Sequence, residues 1–401
     1  MIFPVFIVLY VLAHVFIWHA LVSGLDPSRY VQGFLAVGLA TMALTPFLAR
    51  RLERRGLVRL ARIFAWVGYT WAGLVLLFVM ARFAADLVLN CALLLGFVPT
   101  SGPRSWFLDS TGVLTALLAT YAFIERSRVR IETIDVPTHK DLGGRAVLRV
   151  AQISDVHIGS MNGRRRVRAL LERLERCKAD IVVSTGDLID SRAGLDVPVT
   201  ELLAGLRPPL GKFAILGNHE CYAGLDSSLA FMERSGFVVI RNDALPLPGF
   251  HLIGMDDPVA GRPEDLAHRE YQLLRSIPKD DFAILLKHRP DVLPSSRGRF
   301  DLQLSGHTHK GQIFPFGFLT RLYYPAHAGL FRLARTCYLY VSRGTGAWGP
   351  PFRLGSPPEI TLFSIGPGRP DPGGQLVFQR DESMPEPAPV LTVTVCSERR
   401  S

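Results

Sequence analysis

The stretch Val147 to Gly159, VLRVAQISDVHIG, is a short run of β-forming apolar residues that ends on Asp155 and His157. Seven residues of that composition between polar flanks predict a strand, and the two polar side chains then sit just past its end. Downstream the pattern repeats. Arg164 to Cys177 has the spacing of a basic amphipathic helix, and Ile181 to Ser184 is the next strand, followed by Asp187 and Asp190 in STGDLIDS. Phe213 to Leu216 leads into Asn218, His219 and Glu220 in ILGNHE, Phe282 to Leu286 into His288, and Leu302 to Leu304 into His307 and His309 in QLSGHTHKGQ. Val238 to Ile240 and Leu252 to Met255 are further strand candidates, with helices expected over Ser227 to Arg234 and Asp265 to Ile277. Strands alternating with helices predict a layered α/β sheet domain, in which strand ends along one edge bring distant residues together.

What would converge there is a set of carboxylates, imidazoles and an amide oxygen. Mixed nitrogen and oxygen donors suit Mn, Fe, Co, Ni or Zn better than the all-oxygen cages of Ca or Mg. Two such ions would activate a bound water and steady charge developing on a phosphoryl group; one carboxylate must then be shared, and Asp187, on a tight Gly-Asp turn, is placed for it. Gly186, Gly217 and Gly306 each precede a candidate ligand, where a side chain would crowd the turn, although ordinary turn glycines would look the same. Asp190 either orients His219 or caps a helix, and Glu220 supports the site or is a turn residue. No nucleophile elbow of the GxSxG kind accompanies a base, so covalent acyl chemistry has little support. His14, His19, His139, His251, His268 and His327 belong to no such motif and read as ordinary surface or core residues.

The ordered set D-x-H, G-D-x-x-D, G-N-H-E, H and G-H-T-H resembles the calcineurin-like metallophosphoesterase superfamily. The longer strings SDVHIG, GHTHKGQIFPFG and YVSRGTGAWGPPFRLGSPPEITL resemble its bacterial membrane-associated YkuE/YaeI-type branch. The likeness covers about residues 145 to 366 and implies a four-layer α/β/β/α sandwich. It implies two divalent transition-metal ions, such as manganese, iron or zinc. One would be held by Asp155, His157, Asp187 and His309, the other by Asp187, Asn218, His288 and His307. His219 would serve as general acid or as a positive hydrogen-bond donor to phosphate, with Asp190 orienting its ring. The glycines of RGTGAWGPP, Gly344, Gly346 and Gly349, resemble the family's closing segment and are expected to support the site.

Ahead of this domain the chain is of another kind. Its 401 residues carry a formal charge of +10, but residues 1–130 account for most of it, with 12 Arg against 5 acidic residues. The remainder has 33 basic and 30 acidic residues, too balanced for the basic track a nuclease displays, so no nucleic-acid partner is expected. Ile2 to Val22, Val31 to Ala49 and Ile63 to Ala81 are each long and apolar enough to span a bilayer, and Thr111 to Ile124 reaches that length if Phe107 and Leu108 join it. A signal peptide is not expected for the first, since it lacks a basic n-region and a clear small-residue cleavage site and more such segments follow. Phe83 to Val98 is open: an extension of the third span, an interfacial segment or a fifth crossing. Arg50, Arg51, Arg54, Arg55, Arg59 and Arg62 between spans two and three, and Arg126, Arg128 and Arg130 after the fourth, favour four spans with both termini and the catalytic domain in the cytoplasm. The organisation expected is a transmembrane region over 1–130, a phosphoesterase domain over 131–366 and a Pro/Gly-rich tail over 367–401. The five cysteines have no metal or disulfide spacing.

Anchoring helices suggest a substrate at the bilayer of a bacterial inner membrane, a phosphodiester or pyrophosphate in a lipid or cell-envelope precursor. Ile313 to Leu333, apolar and aromatic and placed just after His309, fits either lipid contact or a folded core hairpin. The alternatives are a tethered phosphodiesterase or phosphatase acting on a soluble nucleotide or phosphoprotein, and a non-catalytic metal-binding scaffold.

Overall fold

The computed structural model describes residues 2–97, 105–191 and 197–367. Four helices come first: α1 (Ile2–Leu25), α2 (Arg29–Arg54), α3 (Val58–Leu94) and α4 (Ser105–Ser127). Among the described residues three of them, α1, α2 and α3, are long and apolar enough to cross a membrane. The fourth expected span falls on α4, a helix of 23 residues whose sequence includes Asp109, Glu125 and Arg126 and which is not one of those three. Phe83 onward forms no separate segment: it continues α3, which at 37 residues is about 55 Å long and outruns a hydrocarbon core of about 30 Å. Inside this bundle Trp71 donates to His14 Nε2 at 2.9 Å, and His14 Nδ1 is 2.8 Å from the Tyr10 carbonyl, so a polar chain joins α1 to α3.

The rest is two packed six-stranded sheets. The first has the order β1 (Arg130–Pro137), β12 (Glu359–Gly366), β2 (Leu148–Ile153), β3 (Ile181–Ser184), β4 (Lys212–Ala214) and β5 (Val238–Val239). The second runs β10 (Gly329–Ala334), β11 (Cys337–Val341), β9 (Leu302–Ser305), β8 (Phe282–Leu286), β7 (Phe250–Gly254) and β6 (Asp243–Leu247). Side chains alternate faces along a strand, and in the middle of these sheets both faces are covered, which is why β3 (IVVS) and β8 (FAILL) read as near-continuous apolar runs. Val150, Ile181 and Val183 meet Leu252, Ile284 and Leu304 between the sheets. Their neighbours Ala151 and Val182 point outward onto α5 (Arg164–Cys177), α6 (Val197–Gly205) and α8 (Leu225–Arg234). On the far side, Ile253, Ala283 and Leu285 pack under α9 (Pro263–Ser276). This is the α/β/β/α sandwich that the motifs implied.

Strand β12 returns the chain to the middle of the first sheet, parallel to β1 and antiparallel to β2. The domain therefore closes only after residue 359, and β1 joins it within three residues of the end of α4. The Pro/Gly-rich tail expected over 367–401 lies outside the described residues apart from Pro367.

The two parts meet along one stripe of α3. Tyr69, Gly73 and Leu77 are four residues apart and so share a face of the helix. Gly73 is needed there: a Cβ on it would lie 2.3 Å from the Phe352 ring. Leu77 is fully buried with Ala122 of α4 and with Ile313 and Phe352 of the catalytic loops. Burial of one such leucine contributes about 2 kcal/mol. The loops that carry the site are thus packed halfway along a helix with the dimensions of a membrane span.

Candidate metal centre

All nine residues singled out from the sequence gather at one edge of the sandwich. Asp155 and His157 follow β2, Asp187 and Asp190 follow β3, and Asn218 and His219 open α7 (Asn218–Ala223) after β4. His288 follows β8, and His307 and His309 follow β9. Side-chain donors fall into clusters whose atoms lie within 4.8 Å of one another: Asp155, His157 and His309 form one, and Asp187, His288 and His307 another. A third, of His157, Asp187 and His219, overlaps both. Asp187 joins the halves through one oxygen, Oδ2, which is 3.3 Å from His288 Nε2 and 3.9 Å from His157 Nε2. Its other oxygen accepts the His219 backbone N–H at 2.9 Å.

The donor atoms point at each other in a way that protons alone serve poorly. His157 Nε2 and His309 Nε2 face each other at 3.1 Å, as do His307 Nδ1 and His288 Nε2. His288 Nδ1 is 2.9 Å from the Thr185 carbonyl, a bond that needs its N–H and leaves Nε2 as a lone pair. Asn218 Oδ1 is buried with no hydrogen-bond partner among the described residues. Lone pairs converging from imidazole, carboxylate and amide are the donor set of a divalent metal ion.

Electrostatics agree. Burial lowers the pKa of His288, but Asp187 and Asp155 outweigh it and push it up to about 10. Buried carboxylates here demand positive charge. Burial and the neighbouring His288 press His307 down to about 3, and burial with His157 and Arg353 takes His309 well below the ordinary value, so both are neutral and able to ligate. His219 is raised: burial opposes its charge, and Asp187 and Asp190 overcome it. Asp190 Oδ1 is 3.0 Å from His219 Nδ1 and 3.6 Å from His157 Nδ1, and its carboxyl is held below the ordinary range in spite of burial.

Backbone geometry marks the same residues. Asp155, His157, Asp187, His307 and His309 all adopt positive φ, between 48° and 71°. That region is rare for residues with a Cβ and collects at functional sites. Gly306 fits for the opposite reason: a Cβ there would lie 1.9 Å from Ser154 Oγ and 2.3 Å from Asp155 Oδ2.

Other residues brace these. Glu220, which the sequence left open between support and a plain turn, is buried and accepts from the backbone N–H groups of Gly217, Asp187 and Ile189 at 2.7 to 3.0 Å, stitching two ligand turns together. Asn162 carries no signal in the sequence, yet it donates to the carbonyls of Val156, His157 and Ala347 at 2.9 to 3.2 Å. Its own Oδ1 accepts from Arg126, which also reaches the Met161 carbonyl, both at 2.9 Å. Arg126, expected as a free juxtamembrane charge, is instead buried at the end of α4. Arg353 is fully buried, bonds the carbonyls of Gly346, Arg343 and Ser356, and places Nη2 3.1 Å from His309 Nδ1. The loop of Gly344, Gly346 and Gly349 does support the site: Thr345 N–H and Gly346 N–H donate to the carbonyls of Ser154 and Asp155.

At the mouth stand aromatic side chains. Trp348 and Tyr222 lie edge-on to His219, with centroids 5.9 and 5.5 Å away, and Tyr324 is edge-on to His307 at 5.6 Å. Beyond Tyr324, the segment Ile313 to Leu333 forms α10 (Phe316–Tyr323), in which no residue is buried, and then β10. Phe318, Leu319, Leu322 and Tyr323 are 62% to 83% exposed.

A family model described as calcineurin-like phosphoesterase matches residues 148–311. A protein named uncharacterized metallophosphoesterase, from Aquifex aeolicus (strain VF5), is 38% identical over 259 residues, covering 63% of this chain and 97% of that relative. The uncharacterized metallophosphoesterase YkuE of Bacillus subtilis (strain 168) is 32% identical over 232 residues, 54% of this chain and 78% of the relative. A Bos taurus transmembrane protein with metallophosphoesterase domain is 32% identical over 255 residues, 59% of this chain and 56% of its own length.

Proposed function

Because the chain belongs to the calcineurin-like metallophosphoesterases, we propose that it hydrolyses a phosphodiester or pyrophosphate bond in a lipid or lipid-linked envelope precursor, at the surface of the membrane that holds it. The observation that carries this reading is the seam on α3. Loops contributing Ile313 and Phe352 pack against Leu77, well inside the apolar length of that helix, and the exposed apolar α10 follows directly. A helix with four large apolar side chains in solvent would aggregate; laid into a bilayer beside α3, it is covered. Substrate would then enter from the lipid side, past Tyr324.

Asp155, His157, Asp187 and His309 would hold one divalent transition-metal ion, and Asp187, Asn218, His288 and His307 the other. Those ions supply Lewis acidity and a nucleophilic oxygen at neutral pH. The chain does the rest. His219, whose pKa Asp187 and Asp190 raise against the effect of burial, is placed to donate to the leaving oxygen or to a phosphoryl oxygen. Asp190 holds its ring, and the aromatic rim limits water. Arg50, close to the arginine-rich link between α2 and α3, bonds Tyr69 of the docking stripe, which supports a catalytic domain on the side of that link. The positive-inside tendency supports a cytoplasmic active site at a bacterial inner membrane.

The test is purification of the full-length protein in detergent and assay on bis(4-nitrophenyl) phosphate, then on lipid extracts of its own membrane. Turnover should vanish on chelation and return with one of manganese, iron or zinc, and a phospholipid or diphospholipid should be consumed from the extract. Turnover unchanged by complete metal removal would overturn the chemistry; consumption of soluble nucleotides but of no lipid would overturn the substrate.

A further inference from the structure

The membrane helices bring two polar side chains to the rim of the site. Arg50, just before the last turn of α2, donates through Nε to the hydroxyl of Tyr69 on α3 at 3.3 Å. That bond does not use the terminal nitrogens, which form the planar fork that grips phosphate oxygens. Tyr69 Cδ1 is 4.0 Å from where a Cβ of Gly349 would stand. Gly349 follows Trp348, whose ring is edge-on to His219. From the other side Asp190, the partner of His219, lies within electrostatic reach of both Arg50 and Tyr69.

The guanidinium is therefore connected to the His219 side of the site through Tyr69 and the Gly349–Trp348 turn, and Arg50 is not among the residues whose donors gather as candidate metal ligands. Arg51 and Arg54, in the last turn, add positive charge, while Glu53 between them and Asp190 are the acidic groups that act on Arg50; none of the three arginines is on a catalytic loop. An arginine at the end of a span also sits where lipid headgroups sit.

We propose that Arg50 and Tyr69 form an anion-binding subsite, contributed by the membrane helices, that holds a second phosphoryl group of the substrate next to the one being cleaved. The inference rests on the hydrolytic reading above and narrows it to diphosphate-bearing lipids. Arg50 supplies charge and a forked pair of donors; the Tyr69 hydroxyl, accepting from Arg50, has its own proton free to donate outward.

The probes are methylphosphonate and methylenediphosphonate, which carry one and two phosphoryl groups and are not hydrolysed. Each is measured on full-length, metal-loaded protein as a competitor of bis(4-nitrophenyl) phosphate hydrolysis and, independently, by titration calorimetry, with free metal held constant by a buffer. Wild type should bind the diphosphonate about tenfold more tightly than the monophosphonate, the scale of one charged bidentate contact. Arg50→Gln should remove most of that ratio, Tyr69→Phe about threefold of it, and Arg50→Lys should keep part. A ratio near one in wild type, or a ratio unchanged in Arg50→Gln, would overturn the subsite. Neither result touches the hydrolytic reading, which fails only if wild type does not cleave the aryl ester in a metal-dependent way.

Discussion

The two halves of the metal centre are built from the same residue types but braced from opposite directions. Asp155, His157 and His309 lean on the membrane helices: Arg126 of α4 holds Asn162, Asn162 holds the turn of His157, and Arg353, whose N–H donates to the Ala122 carbonyl of α4, faces His309. Asp187, His288 and His307 lean on the sandwich, through Glu220 and through the Thr185 carbonyl at the end of β3, which ties one sheet to the other. One half is continuous with the N-terminal helical bundle, the other with the core of the sandwich. The difference teaches that the membrane region is more than an anchor, because half of the ligand set takes its geometry from it.

The comparison can be broken at its shared point. Asp187→Asn removes the oxygen common to both halves, so metal content measured by inductively coupled plasma spectrometry should fall at both sites and aryl phosphodiester turnover by at least about a thousandfold. Gly306→Ala strikes the membrane-braced half hardest by driving a methyl into Ser154 and Asp155, although the position adjoins His307 of the other half; turnover should fall by about a hundredfold, with the ion of the Asp155 half the more weakened. Arg126→Met is the sharper probe, since it touches no ligand. Loss of such outer partners costs about 10- to 100-fold in metal affinity, and it should appear in one ion of the two. Equal weakening of both would erase the distinction. Glu220→Gln is its counterpart in the sandwich-braced half, expected to weaken the other ion by about tenfold. Leu77→Ala should act least on the soluble aryl ester. It removes a buried contact worth about 2 to 5 kcal/mol from the seam, visible in thermal unfolding and in turnover of vesicle-borne substrate.

The ligand residues are legible in the sequence because each motif joins a strand signal to a polar tip, and a sheet leaves little freedom in where such tips meet. The central strands are legible for a related reason, as apolar runs buried on both faces. β12 is not, although its sequence EITLFSIG alternates little and is buried almost throughout; its place between β1 and β2 depends on pairing across more than 200 residues, which no local pattern encodes. Arg126, Asn162 and Arg353 are hidden differently. An arginine after an apolar helix reads as a solvated flank, and only tertiary packing turns it inward. The backbone of Asp155 and His157 is hidden too, since nothing in D-x-H announces a positive φ at both ends.

That backbone has a consequence for the life of the protein apart from its chemistry. Five ligand residues held in the left-handed region each carry roughly 1 to 3 kcal/mol of strain, a sum of the same order as the whole folding stability of an ordinary domain. Ligand binding to the native state alone returns stability in proportion to the logarithm of its concentration over its dissociation constant. Cells starved of the metal should therefore contain less of this protein, and what remains should be cleaved by proteases first at the turns around residues 155, 187 and 307.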